Sequence, residues 1–249
     1  MGTKTTMTLA DAMAALQAAG SEQTRKTYLR HGAKEPMFGV SFATLKALHK
    51  SIKVDHALAI ALWDSGNLDA RNLAVKIVDP LAMTEPLLDA WAQWDVPRAC
   101  GAYVAEVASE GPHARSRVTA WLASQDIAQR ATGWALVSVL AMRDEGLPDS
   151  WFLARLAEIE QAIHHAPNAL RGPQNMAVIM IGCRNAALRQ AASAAAKRIG
   201  KVNIDHGDTA CKTADAAADI DKTWAHSTAK GFESPATHER SRKSARLRC

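Results

Sequence analysis

Apolar residues recur along the chain with the period of a helix, and the pattern is clearest between Trp121 and Met142. Ser124 is suited to cap a helix, and Asp126 is suited to stabilise the positive first turn. From Trp134 onward the stretch is apolar on nearly every side. A helix that is apolar all round has neighbours all round, so we expect this helix at the centre of the molecule.

The same arrangement of residues occurs elsewhere in the chain. The stretch from Trp63 to Val78 has a break, an acidic first turn, an arginine and then apolar residues, and a weaker copy runs from Asn175 to Ile181. The matching positions are Arg71, Arg130 and Asn175, which are 59 and 45 residues apart. Irregular repeats of helix pairs are typical of solenoids, in which each unit buries its apolar face against the next. The pattern therefore predicts an all-α fold, a HEAT-like or ARM-type α-solenoid of antiparallel helix pairs.

The pattern divides the chain into four parts. We expect residues 1–7 to be disordered, residues 8–200 to form the solenoid, and residues 201–226 to form an extended segment and a short helix that dock on it. Residues 227–249 are rich in Ser, Lys and Arg and lack apolar periodicity, so they are predicted to be a disordered basic tail.

The charge of the chain is concentrated in this tail. Of the net charge of +5, +4 lies in residues 227–249, which leaves the predicted solenoid nearly neutral. A surface that binds nucleic acid would therefore have to come from local segregation of charge, helped by the tail.

The cysteines and the hydropathy indicate the setting of the protein. Cys100, Cys183, Cys211 and Cys249 are scattered and form no CxxC pair, so neither disulfides nor a cysteine zinc site is expected. No apolar run is long enough to span a bilayer, and no secretion signal is evident, so we expect a cytoplasmic protein without a membrane partner. No P-loop, dinucleotide fingerprint, GxSxG or HExxH motif occurs, and no cofactor is predicted.

Three groups of residues are candidates for chemistry. The first is Trp94 with Asp95, because an aromatic face and a carboxylate at a helix start suit a cationic ligand. The alternative is that Trp94 closes a helix junction and Asp95 caps the helix of Arg98, in which Pro97 fits the first position.

The second group is Arg71 and Arg130, which a solenoid would bring to one surface. Two guanidinium groups on a concave face would hold successive phosphates, because each presents a planar fork of donors. The alternative is that each arginine ties neighbouring repeats together through an acidic partner or a carbonyl.

The third group is Asp205, His206 and Cys211, which are metal-ligand types close together in the chain. Zinc requires three or four ligands that converge with tight geometry, and one short loop rarely supplies them. Docking of the segment against the solenoid is therefore favoured over a metal site.

A set of short motifs, in this order, resembles one family. The motifs are Met37 to Leu45, Leu62 to Arg71, Trp94 to Val96, Gln129 to Ala131, Asn175 to Ala177 and Gly200 to Thr213. Together they resemble the HEAT-like DNA alkylation repair proteins, the AlkD-like group, over roughly residues 20–222. The resemblance implies a concave solenoid that binds double-stranded DNA, and in active members it implies excision of cationic N3- or N7-alkylated purines.

The resemblance also implies roles for particular residues. Trp94 corresponds to an aromatic of the lesion site, and Arg130 corresponds to its DNA-contacting arginine. The sequence departs from the family at two positions: Arg98 stands where the family has its catalytic aspartate, and Met176 stands near its second tryptophan. Asp95 is the candidate substitute for the catalytic carboxylate.

These observations give one hypothesis and its alternative. The hypothesis is a DNA-binding protein of the alkylation repair family, with possible excision of alkylpurines, in which Arg71 and Arg130 contact the DNA backbone. The alternative is a non-catalytic solenoid scaffold that binds a protein or undamaged DNA.

Overall fold

The structure is a computed structural model that describes residues 7–93 and 101–248. Within these residues all regular structure is helical, apart from a single bridge between Gly20 and Val40. The predicted all-α fold is therefore confirmed. The helices are α1 (Leu9–Ala18), α2 (Glu22–Arg30), α3 (Phe42–Ile52), α4 (His56–Asp64), α5 (Leu68–Ile77), α6 (Glu85–Ala92), α7 (Gly101–Glu110), α8 (Ala114–Leu122), α9 (Ile127–Arg143), α10 (Asp149–Ala162), α11 (Asn168–Gly182), α12 (Ala186–Ile199), α13 (Ala216–Thr228), α14 (Glu239–Arg242) and α15 (Ala245–Arg248).

Helices α4 to α13 form pairs that stack into two layers. The outer helix of each pair is α4, α6, α8, α10 or α12, and the inner helix that follows it is α5, α7, α9, α11 or α13. Each inner helix packs on the inner helix of the next pair. In the four pairs from α4 to α11, short connections make the two helices antiparallel, so the inner helices α5, α7, α9 and α11 run in the same direction.

Helix α9 lies at the centre of the described part of the chain. It packs on α7, α8 and α11, and its buried side chains include Trp134, Leu136 and Val137. The predicted cap is displaced by two residues: the Asp126 carboxylate accepts from the Gln129 N–H at 2.8 Å and so caps α9. The Ser124 hydroxyl instead accepts from the Asp126 N–H at 3.0 Å and shapes the turn before the helix.

A buried carboxylate joins α5 to the loop before α3. Asp69 is fully buried, and its Oδ2 accepts from the N–H groups of Phe38 at 2.6 Å and Gly39 at 2.9 Å, while its Oδ1 accepts from Val40 N–H at 2.9 Å. Gly39 has φ = 80°, and a Cβ there would lie 2.5 Å from Ser21 O, so only glycine fits. Asp69 therefore fixes the path of the chain between α2 and α3.

The C-terminal residues differ from the predicted disordered tail of residues 227–249. Helix α13 extends to Thr228, and the residues after it pack on inner helices and include the buried Ser234 and Arg246. The reason is charge pairing, because Arg246 forms a 2.7 Å ion pair with Glu110 instead of remaining in solvent. The other predicted disordered segment, at the N-terminus, lies outside the described residues except for Met7, which contacts the core.

Candidate nucleic-acid interface

The first turns of the inner helices lie along one edge of the stack. The inner helices are parallel, and the C-terminal ends of α5, α7 and α9 all contact the same C-terminal stretch of the chain, so these ends share the opposite edge. At each first turn the N–H groups have no partner within the helix, and the helix dipole is positive there. Such an edge favours anions such as phosphate.

An arginine occupies the fourth position of three inner helices. These residues are Arg71 in α5, Arg130 in α9 and Arg171 in α11. Counted from the helix start, Arg171 therefore holds the position for which the sequence pattern selected Asn175. The three arginines differ in what they contact.

Arg71 is engaged by the helix that precedes its own. Its Nε donates to Trp63 O at 3.1 Å, and its guanidinium lies 5.2 Å from the centroid of the Trp63 ring. Trp63 in turn stacks on Trp91 with ring centroids 4.0 Å apart and planes 8° apart. Burial lowers the pKa of the Arg71 guanidinium from its ordinary value, and the Asp64 carboxylate partly opposes this shift. The alternative weighed for Arg71 is a tie between neighbouring repeats through an acidic partner or a carbonyl. Arg71 does bond a carbonyl, but that carbonyl belongs to α4, the other helix of its own pair.

Arg130 is the arginine of this set that the protein leaves available. It is half-buried, and no side chain or carbonyl of the described residues forms a hydrogen bond or ion pair with its guanidinium. Arg71 and Arg171, by contrast, both donate to backbone carbonyls. The positive charge of Arg130 is thus free to meet an external anion.

The first turn of α9, which carries Arg130, is held firmly against α6. Gln129 Nε2 donates to Asp89 O at 3.0 Å, and Thr132 Oγ1 lies 3.4 Å from Ala92 O. The Asp89 carboxylate accepts from Trp121 Nε1 at 2.7 Å and pairs with Arg117 at 2.6 Å, which ties α6 to α8 as well. This role of Asp89 is not evident from the sequence, because its partners lie 28–40 residues later, in the next helix pair, α8 and α9.

The junction between α6 and α7 lies outside the described residues. Trp94, Asp95 and Arg98, which were candidates for the lesion site, fall in this junction. Helix α6 ends at Ala92, beside Thr132 of α9. The chain therefore enters the junction next to the first turns of α9.

The polar segment that follows α12 packs on α11, the helix that carries the third copy of the sequence pattern. Arg171 donates to Ala166 O at 2.8 Å and to Asn203 O at 2.9 Å, and Asn175 donates to Ala214 O at 2.9 Å. Asn175 is buried, whereas Met176 is 41% exposed. The segment 201–215 thus lies against α11, and Met176 remains at the surface.

The loop that carried metal-ligand types is held by local hydrogen bonds. His206 Nε2 lies 2.9 Å from Thr213 Oγ1, and the Asp205 carboxylate accepts from Gly207 N–H at 2.8 Å. Cys211 is exposed. In residues 7–93 and 101–248, no three His, Cys, Asp or Glu side chains converge as metal ligands would.

Three cations of the C-terminal stretch are paired within the protein. Arg242 pairs with Glu145 at 2.5 Å, and Lys243 pairs with Glu239 at 2.9 Å. Together with the ion pair of Arg246, these contacts differ from the expectation that the basic tail would be available to DNA. Across the described ranges, no helix has the length and apolar character needed to cross a membrane.

Comparison with known proteins gives a consistent family and fold. A family model described as "DNA alkylation repair enzyme" matches residues 12–192. The uncharacterized proteins Lmo0209 of Listeria monocytogenes and Lin0241 of Listeria innocua are each 27% identical over 213 residues, which is 83% of this chain and 93% of theirs.

A solved structure is similar to this one along nearly its whole length. It is described as "A new family of proteins related to the HEAT-like repeat DNA glycosylases with affinity for branched DNA structures". The TM-score is 0.80 at 28% identity, and the match covers 92% of this chain and 98% of the other. The predicted HEAT-like solenoid is thereby confirmed.

Proposed function

Because the chain belongs to the DNA alkylation repair family, we propose that it is a DNA-binding protein whose preferred ligand is branched DNA. Membership of this family confirms the resemblance that the sequence motifs indicated. The preference for branched DNA is taken from the similar solved protein, which is described as having that affinity. The alternative from another class is a scaffold whose concave surface binds a protein.

The observation that carries the proposal is the state of Arg130. The other inner-layer arginines with described contacts, in α5, α9 and α11, donate to acceptors of the protein itself. Arg130 has no such acceptor among the described residues, and it stands at the positive end of α9. A half-buried guanidinium with no acceptor in the described protein suits a phosphate better than it suits a neutral protein surface.

The binding follows from positioning and charge. Gln129 and Thr132 anchor the first turn of α9 on α6, so Arg130 is presented without a large loss of backbone freedom. The first turn of α11 lies along the same edge and would supply N–H groups to a further phosphate. The first-turn N–H groups of α5 are already bonded within the protein, to Asn67 and Pro36. Arg71 contributes its charge from a fixed place, since it is held by the Trp63 carbonyl and ring.

Excision of alkylated bases is the second candidate function, supported by the description of the family as an enzyme. Alkylation makes a purine cationic and a good leaving group, so a carboxylate that stabilises an oxocarbenium-like sugar and an aromatic ring beside the base would suffice. Trp94 and Asp95 are the residues proposed for these roles. Arg98 opposes this function, because a cation at the position of the catalytic aspartate repels a cationic base.

The binding proposal is tested with two single variants of equal charge change. Arg130→Ala removes the cation proposed to contact DNA. Arg198→Ala is the matched control, because Arg198 lies on an outer helix and pairs with Glu160 at 2.5 Å. Dissociation constants are measured by fluorescence anisotropy on a four-way junction and on a linear duplex of the same length.

We expect the junction to bind more tightly than the duplex. We expect Arg130→Ala to weaken junction binding by about 10-fold, the usual cost of a charge-assisted contact, and Arg198→Ala to leave it unchanged. Equal weakening by both variants would show that the loss of affinity comes from the lower net charge and not from a contact at Arg130. Absence of binding to either DNA would favour the protein scaffold.

The excision proposal is tested separately by base release. DNA that carries N7-methylguanine or N3-methyladenine is incubated with the parent protein, with Asp95→Asn and with Arg98→Asp. If the parent releases the base and Asp95→Asn does not, Asp95 is supported as the substitute for the family's catalytic carboxylate. Release only by Arg98→Asp would show that the parent has lost the reaction through that substitution.

A further inference from the structure

The C-terminal residues 229–248, which we name the strap, cross the inner layer in reverse order. Near α11 the Ala236 N–H donates to Cys183 O at 3.2 Å. Further on, Arg143 at the end of α9 donates to Lys243 O at 3.0 Å. The strap ends on α7 and α5, where Arg246 is held. It therefore touches the C-terminal ends of four successive inner helices.

Arg246 occupies a socket built from two helices. Its side chain is nearly fully buried, and its Nη1 donates to Val75 O at 2.7 Å and to Lys76 O at 3.0 Å. Its Nη2 donates to the Glu110 carboxylate at 2.7 Å. The last carbonyls of a helix have no partner within it and carry the negative end of its dipole, so a guanidinium is a fitting cap for α5.

The contact is reciprocal. Lys76, which is also buried, donates from Nζ to Arg246 O at 2.5 Å. The strap thus accepts from α5 through its backbone and donates to α5 through its side chain. A neighbouring ion pair, Arg143 with Glu106 at 2.7 Å, links α9 to α7 beneath the strap, and Ser244 Oγ lies 3.4 Å from the same glutamate.

A solenoid is normally held only by contacts between adjacent repeats, so its curvature responds easily to force. The strap departs from this rule, because it connects α5 to α11, which are not neighbours in the stack. We infer that the strap fixes the curvature of the solenoid, and that the burial of Arg246 between α5 and α7 is the lock that keeps it in place.

The two halves of the strap are anchored differently, which makes the lock testable. The first half packs on α9 and α13 with Ser234, Pro235 and Ala236 buried, and Ala236 N–H bonds the carbonyl of Cys183 at the end of α11. The second half, residues 239–248, consists of two four-residue helices that are too short to be stable alone. Loss of Arg246 should therefore release residues 239–248 and leave residues 232–238 bound.

The test uses the full-length protein with Arg246→Ala and with Lys243→Ala as the matched control. Both variants remove one positive charge from the strap, but the Lys243 ion pair is internal to the strap, with Glu239. Limited digestion with proteinase K, analysed by mass spectrometry, reports the fraction of time for which residues 239–248 are released. Small-angle X-ray scattering of the same samples reports the curvature.

We expect residues 239–248 of Arg246→Ala to be cleaved about 100-fold faster than in the parent, because one partner of a buried ion pair is lost. We also expect a larger maximum dimension in scattering, and parent-like behaviour of Lys243→Ala. If Arg246→Ala does not fold, Glu110→Gln keeps the shape of the socket and should raise cleavage about 10-fold.

Two results would overturn the inference. Parent-like cleavage of the foldable variants would show that Arg246 is not the lock. Rapid cleavage with an unchanged scattering curve would show that the strap does not set the curvature. Neither readout involves DNA, so failure here would leave the DNA-binding proposal untouched.

Discussion

Replacing Asp69 should destabilise the protein far more than replacing an ordinary helix cap. The Asp69 carboxylate is fully buried and accepts from three backbone N–H groups of residues 38–40. Asp69→Ala leaves these donors without partners, at about 1–3 kcal/mol each. Because some donors will find water after local relaxation, we expect a loss of about 3–6 kcal/mol in the free energy of unfolding.

The assay is thermal unfolding by differential scanning calorimetry, with Asp55→Ala as the control. Asp55 caps α4 through a single bond, from Leu58 N–H at 3.0 Å, so its loss should cost about 1 kcal/mol. At about 2–4 °C per kcal/mol, Asp69→Ala should lower the Tm by about 6–24 °C and Asp55→Ala by about 2–4 °C. The Tm loss of Asp69→Asn should lie between those of the two alanine variants, because the asparagine NH₂ group would face a backbone N–H donor. Equal Tm losses for the two alanine variants would refute the reasoning.

Three further predictions concern pH, thiol reactivity and the polar segment. Burial, and then the charges of Lys76 and Arg246, lower the pKa of His49 below its ordinary 6.5. The unfolded chain therefore binds the proton more readily than the folded protein, and the free energy of unfolding should fall as pH drops below about 6.5. The Tm of His49→Asn should depend less on pH between about 7 and 5, and an identical pH dependence would contradict this. Iodoacetamide at about pH 8 should modify the exposed Cys211 and spare Cys183, because burial raises the pKa of the Cys183 thiol to about 12. Peptide mass mapping measures the labelling of each cysteine, and equal labelling would contradict the prediction. Arg171→Ala removes the donors that hold the segment 201–215 on α11, so protease should cut that segment about 10-fold faster than in the parent, and an unchanged rate would exclude this role.

The helical architecture was predictable from the sequence because its signals are local. The apolar period located the central helix. Small polar residues at helix starts are also a local signal: the Ser41 hydroxyl accepts from Thr44 N–H at 3.2 Å and caps α3. The displaced cap of α9 shows the limit of such signals. Ser124 and Asp126 are both good caps, and only the three-dimensional turn decides between them.

The parts that sequence reasoning missed depend on partners far away in the chain. Arg246 reads as one of several cations in a polar tail, yet it pairs with Glu110, 136 residues earlier. Asp69 reads as an acidic residue in a first turn, yet its partners lie about 30 residues before it. It also joins two of the motifs that carried the family resemblance, Met37 to Leu45 and Leu62 to Arg71. Composition and periodicity contain no information about such pairs.

The candidate site was predictable only in outline. The repeat pattern placed Arg71 and Arg130 in equivalent helices. It gave no sign that Arg71 bonds the Trp63 carbonyl, or that the Arg130 guanidinium has no hydrogen-bond or ion-pair partner among the described residues. The pattern also selected Asn175 in the third repeat, because it aligned apolar runs instead of helix starts. Catalysis by Asp95 stays a prediction, since Trp94, Asp95 and Arg98 lie outside the described residues.

The salt dependence of junction binding tests the central claim most directly. Each phosphate that a cation neutralises contributes about −0.9 to the slope of log affinity against log salt concentration. The measurement is this slope between about 50 and 200 mM salt for the parent and for Arg130→Ala. The account predicts a steep negative slope for the parent and a slope that is shallower by about 0.9 for the variant. Identical slopes for the two proteins, or parent binding that does not respond to salt, would contradict it.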